Sequence, residues 1–176
     1  MKIHSESRIA YPREQVYLAY RDRLPEIGRY IPDIQKIETL SRETTDTGVR
    51  LHNTWVSQSE IPAVVSKFIR PEHLRWDDHA DWNDAGSYVD WTIKTRAFTE
   101  AVTCSGRNEI LEDGDGTLVR LTGDFQINLK EIRGVPSFLA KRLAPQIEKF
   151  IVTMITPNLE EVNASIQRFL DAEGGS

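Results

Sequence analysis

The last third of the chain constrains the fold most. Between Phe138 and Leu170 apolar residues recur every three or four positions, among them Ile147, Ile151, Met154, Val162 and Ile166. That spacing marks one long amphipathic helix. Nearly everything between residues 34 and 129 reads instead as strand. The expected class is α+β, a curved seven-stranded antiparallel sheet around a long C-terminal helix. The space between sheet and helix is the natural place for a ligand cavity. Pro145 and Pro157 fall inside the apolar stripe. Each removes a helical N–H, so the stripe is expected to break before residue 145 or to kink at both sites.

At 176 residues the chain is long enough to bury a core and short enough for one domain, taken as residues 1–172 with a disordered tail at 173–176. The 22 basic and 27 acidic residues leave a net charge of −5, which argues against nucleic acid as a partner. Cys104 is the only cysteine, so the chain holds no internal disulfide and no cysteine zinc site. No stretch is apolar for 18 residues and no signal peptide is visible. The expectation is a soluble, cytoplasmic protein.

Ile3, Ser5, Ser7 and Ile9 share one face of a first, edge-type strand. Pro12 opens a helix that ends at Leu24-Pro25, and a short helical piece follows from Glu26 to Tyr30. Strands are expected at 34–45, 49–58, 73–82, 86–98, 100–112 and 117–129. Asp46-Thr47-Gly48, Asn83-Asp84-Ala85-Gly86 and Asp113-Gly114-Asp115-Gly116 mark the turns. Ile61-Pro62-Ala63-Val64-Val65, continuing to Phe68-Ile69, reads as a short apolar helix inserted between strands.

This order of elements resembles the START-like helix-grip (SRPBCC) superfamily, which includes birch-pollen-allergen-like proteins, polyketide cyclases and lipid-transfer domains. Met1-Lys2-Ile3, Arg23-Leu24-Pro25, Gly48-Val49-Arg50-Leu51 and Ile61-Pro62-Ala63-Val64-Val65 are locally similar to the PRELI family of phospholipid-transfer proteins. The resemblance implies a lid over a lipid cavity, here Ile61, Val64, Val65 and Phe68, through which the protein would touch a membrane transiently. It also implies a phosphate-holding role for Arg23. The lysine pair that the family carries in its long helix is replaced here by the Phe150-Ile151-Val152-Thr153 stretch, which weakens any preference for an acidic phospholipid. PRELI-like proteins work with a small cysteine-rich partner, and nothing in this sequence demands one.

The tryptophans Trp55, Trp76, Trp82 and Trp91 lie in expected strands, and large rigid rings make good walls for apolar ligands. Trp76 and Trp82 share a face by period two. The candidate ligand-binding set is Arg23, Trp55, Trp76, Trp91, Phe125, Ile147, Ile151 and Met154. Arg70 and Lys149 are further candidates for a polar head group. Asp77 to Asp84 concentrates possible metal ligands, but without further ligands it reads as a solvated strand end, so no metal is assigned. His52 is expected to face solvent. No nucleophile, acid–base pair or cofactor motif is visible, so no catalytic residue and no cofactor are assigned. The first reading is a binder, and carrier, of a hydrophobic or amphipathic ligand such as a lipid. The second is an aromatase or cyclase on the same fold, and the third is an interaction module whose cavity is filled by side chains.

Overall fold

The computed structural model describes residues 1–63, 66–67, 69–96, 100–128 and 137–174, excepting the side chains of 137–141, 143–144 and 157–158. Strand β1 (Lys2–Ile9) is followed by helices α1 (Arg13–Asp22) and α2 (Leu24–Ile27) and a 3₁₀ turn at Gly28–Tyr30. Then come β2 (Ile34–Thr45), β3 (Gly48–Ser57), a 3₁₀ turn at Pro71–His73, β4 (Arg75–Asn83), β5 (Tyr88–Thr95), β6 (Val102–Asp113), β7 (Gly116–Ile127) and α3 (Ser137–Gly174). The strands form one antiparallel sheet in the order β1-β7-β6-β5-β4-β3-β2. Strands β2 to β7 each pair with their neighbours in sequence, and β1 closes the far edge against β7.

Alternation along each strand decides which residues face inward. On β4 these are Trp76, Asp78, Ala80 and Trp82, and on β5 they are Val89, Trp91, Ile93 and Thr95, all buried. Register shifts between Ile34 and Lys36 and between Thr39 and Ser41 mark irregular pairing in β2, and such bulges bend a strand. Helix α3 covers the inward face with Ile147, Ile151, Met154, Ile155, Val162 and Ile166, all nearly inaccessible to solvent. Polar contacts pin its C-terminal half: Asn163 Nδ2 donates to Ser7 Oγ at 3.3 Å, Ser165 Oγ to the Tyr30 carbonyl at 3.1 Å, and Gln167 Oε1 accepts from the Ala10 N–H at 2.7 Å.

Three expectations need correction. The stripe does not break at Pro145 or Pro157, because α3 is one helix from Ser137 to Gly174. Each proline forfeits one backbone hydrogen bond, and the stripe packed on the sheet outweighs that loss. Glu173 and Gly174, expected in a frayed tail, belong to this helix, and Glu173 pairs with Arg23 at 3.0 Å. The inserted segment is also not a helix over its described residues. Around Ala63, Ser66 and Lys67 it forms a turn closed by the Ser66 N–H on the Pro62 carbonyl at 3.0 Å. Arg70 then turns extended before Pro71 (φ −110°, ψ 160°), as the residue preceding a proline must. Val64, Val65 and Phe68 lie outside the described residues.

Pro145 is solvent-exposed in the helix interior. Its replacement in Pro145→Ala is expected to raise unfolding free energy by about 1–3 kcal/mol. Urea denaturation followed by far-ultraviolet circular dichroism checks this.

Candidate functional site

The indoles converge between the centre of the sheet and the helices. Trp55 on β3 is directly opposite Trp76 on β4, and the two rings stack with centroids 5.6 Å apart and planes 20° apart. Trp82 is held edge-on by Tyr17 and Tyr20 of α1, each with centroids 5.2 Å away. Trp91 lies across a glycine pair: Gly106 and Gly123 face each other on β6 and β7. A Cβ at Gly106 would approach the Trp91 ring to 2.4 Å, and one at Gly123 to 3.0 Å. Only residues without side chains leave the indole room to lie flat on the sheet. Its Nε1–H donates to Asn108 Oδ1 at 2.9 Å, and Asn108 Nδ2 donates to the Tyr20 hydroxyl at 2.8 Å.

These rings enclose a cavity of about 30 Å³, room for one or two water-sized groups. Its wall includes all four tryptophans, with Tyr20, Asn53 and Asp78 as its polar members and Leu159 and Val162 contributed by α3. No lysine, arginine or histidine is among the described lining residues. Asp78 is only 9 % exposed. Its carboxylate accepts from Asn53 Nδ2 at 3.2 Å, and Asn53 Oδ1 in turn accepts from Thr39 Oγ1 at 2.8 Å. The Trp55 indole N–H favours the Asp78 carboxylate without closing a hydrogen bond of ordinary geometry, and neither it nor the Trp82 N–H meets an acceptor among the described residues. Burial pushes the Asp78 carboxyl up to about 6, against smaller opposing effects of Asn53, Trp55 and His52. Burial and the nearby Asp78 charge also push the Tyr20 phenol up.

The sequence reading missed Asp78. It treated residues 77–84 as a solvated strand end, which holds for Asp81 but not for Asp78. The signal was present: the period-two rule that aligns Trp76 with Trp82 places Asp78 between them on the same inward face. His52 is half-buried on the opposite face, stacked on His79 with ring centroids 4.4 Å apart and 3.6 Å from Asp77. No group of side chains suited to hold a metal ion occurs among the described residues.

Of the expected ligand-binding residues, Trp55, Trp76 and Trp91 line the cavity. Phe125, Ile147, Ile151 and Met154 are buried in the surrounding core rather than in the described wall. Arg23 is at the surface, bonded to Glu26 at 2.9 Å and Glu173 at 3.0 Å, with its guanidinium 5.0 Å above the Phe169 ring. Arg70 and Lys149 are exposed, and Ile61 is half-buried against the core.

Solved structures share this architecture over most or all of their length. TTHA0849 from Thermus thermophilus aligns over 98% of this chain and 99% of its own, with a TM-score of 0.68 and 20% identity. The Zhui aromatase/cyclase from Streptomyces sp. R1128 covers 100% of this chain and 99% of its own at a TM-score of 0.66 and 17% identity. A STAR-related lipid transfer protein from Xanthomonas axonopodis covers 94% of this chain and 85% of its own at a TM-score of 0.51 and 16% identity. The chain has the START-like helix-grip fold. No protein-family model and no curated protein sequence matches it. No described helix is long and apolar enough to cross a membrane.

The Asp78 carboxyl links stability to pH. Its folded pKa of about 6 lies above the ordinary 3.8, so the folded protein holds this proton more tightly than the unfolded chain does. The stabilising contribution of that proton is complete below about pH 4 and is lost as pH rises through 6. The difference corresponds to about 3 kcal/mol. Asp78→Asn keeps an acceptor for Asn53 and carries no charge. The variant is expected to match the wild type near pH 4 and to exceed it by up to about 3 kcal/mol above pH 6.5, measured by urea denaturation across that range.

Proposed function

We propose that this chain binds a hydrophobic or amphipathic small molecule between the sheet and α3, with Asp78 as the polar anchor of the site. The observation that carries this reading is the placement of one carboxyl inside a wall of indoles. A core selected only for stability gains nothing from a buried group that costs about 3 kcal/mol when ionised. Perturbed titratable groups in apolar clefts are instead the usual mark of a binding or catalytic site. The indole N–H groups of Trp55 and Trp82, which meet no acceptor among the described residues, are available to an acceptor oxygen on the ligand. Solved neighbours named as an aromatase/cyclase and a lipid transfer protein support ligand binding as a use of this fold.

Within that reading the walls suit a compact, ring-bearing ligand better than a phospholipid. Flat indole faces favour stacking on planar rings. An alkyl tail would leave the Asp78 charge buried with only the neutral amide of Asn53, and a lipid phosphate would meet it as a like charge. Arg23, the expected phosphate holder, is engaged at the surface by Glu26 and Glu173. A PRELI-like lid over residues 61–69 and contact with a membrane remain tied to the lipid alternative. The open space of about 30 Å³ means that a ligand enters only if the walls move apart.

A second reading, an aromatase- or cyclase-like enzyme, draws on the carboxyl of Asp78 beside the phenol of Tyr20, because an acid and a base in one dry pocket are what such chemistry needs. Native mass spectrometry of the purified protein with solvent extraction, together with a titration of 2-naphthol followed by tryptophan emission, tests the proposal. The expected result is a co-purifying ring compound or saturable quenching by 2-naphthol. A bound phospholipid would restore the lipid-carrier reading. A bare protein that ignores both 2-naphthol and liposomes would leave the filled-cavity interaction module.

A further inference from the structure

We infer that the pocket selects ligands carrying a cationic nitrogen, a protonated amine held against Asp78 and the faces of the surrounding tryptophans. The inference rests on the proposed binding site and names the chemistry that the site prefers.

Three features of the wall point the same way. The first is uncompensated charge. Asp78 is the only acidic residue in the described lining, and no lysine, arginine or histidine accompanies it there. Its one hydrogen-bonding partner of ordinary geometry is the neutral amide of Asn53, at 3.2 Å. The second is the aromatic surround. The faces of Trp55, Trp76, Trp82 and Trp91 and of Tyr20 carry negative quadrupolar potential, which adds to that of a carboxylate. The third is desolvation. Asp78 and all four tryptophans are at least nine-tenths buried, and a cation–π contact strengthens when water is excluded. A neutral ligand leaves the carboxylate without a counter-charge, and an anionic ligand is repelled. An ammonium pairs with the charge and with the ring faces at once.

The groups packed around Asp78 leave this preference intact. From α1 comes Tyr20, whose phenol stays neutral. From β3 come Asn53 and Trp55 on the inner face, with His52 on the outer face of the same strand. The neighbours of Asp78 on β4, Asp77 and His79, point outward. Ile93 on β5 and Leu159 and Val162 on α3 are apolar. The carboxylate is therefore the group that must set the pH response of amine binding in the neutral range.

Three probes of matched shape test this by calorimetry: 2-(2-naphthyl)ethylamine, 2-(2-naphthyl)ethanol and 2-naphthylacetate. At about pH 7.5 the amine is expected to bind about ten-fold or more tightly than the alcohol, with the acetate weakest. At about pH 5, where Asp78 holds a proton and the amine is still charged, the preference should shrink to within about three-fold. Asp78→Asn should abolish the preference, bringing the amine to within about three-fold of the alcohol at pH 7.5. If that variant does not fold, the pH response of the wild type decides. Equal binding of amine and alcohol at pH 7.5, or a preference that survives in Asp78→Asn, overturns the inference and leaves the hydrophobic pocket standing. A protein that binds none of the three probes overturns the pocket reading and this inference together.

Discussion

The structure depends on one packing arrangement, the apolar stripe of α3 laid along the inner face of a seven-stranded sheet. Without the helix, the face bearing Trp55, Trp76, Trp82 and Trp91 would be open to water. Without the sheet, a helix interrupted by two prolines would have little to hold it straight. Burial of apolar surface contributes roughly 25 cal/mol per Å², and this interface supplies enough of it to carry the helix through Pro145 and Pro157. The contacts of Asn163 with β1, of Gln167 with Ala10 just beyond it and of Ser165 with the 3₁₀ turn at Gly28–Tyr30 then choose one docking position among those that burial alone would allow.

That packing also creates the chemical character of the site. Glycines at 106 and 123 let Trp91 lie flat on the sheet, Tyr17 and Tyr20 hold Trp82 on edge, and Trp55 stacks on Trp76. Each of these arrangements excludes water from the neighbourhood of Asp78. The same exclusion raises the carboxyl's pKa, makes its ionised form expensive and makes a complementary ligand charge valuable. In the proposed site, stability and ligand binding are thus set against each other at one residue, as is common where local rules of core composition are broken. The second cluster of titratable groups, His52 stacked on His79 beside Asp77, is on the outer, wetter face, where its charges are screened and carry less energy.

Much of the fold was legible in the chain. Turn residues placed the hairpins to within a few positions, because glycine and asparagine answer to local backbone geometry. Period-two alternation located the tryptophans, and the three-and-four spacing located α3. The site was legible only in part. Trp55, Trp76 and Trp91 could be picked out as large rings on expected strands. Asp78 was hidden in an acidic run whose neighbours, Asp77 and Asp81, face outward, and composition outweighed position in that reading. Arg23 carried a family likeness, yet the partners that engage it, Glu26 and Glu173, include one 150 residues away in the chain.

What the sequence determined by itself was therefore periodic and local: where strands alternate, where turns reverse and where a helix needs a partner. Only the tertiary structure decided how much space the rings leave, which arginine is spent on the surface and which carboxylate is sealed in. Volume and solvation at a point depend on atoms brought together from β3, β4, β5, α1 and α3. No spacing along a single segment records how closely those five elements approach.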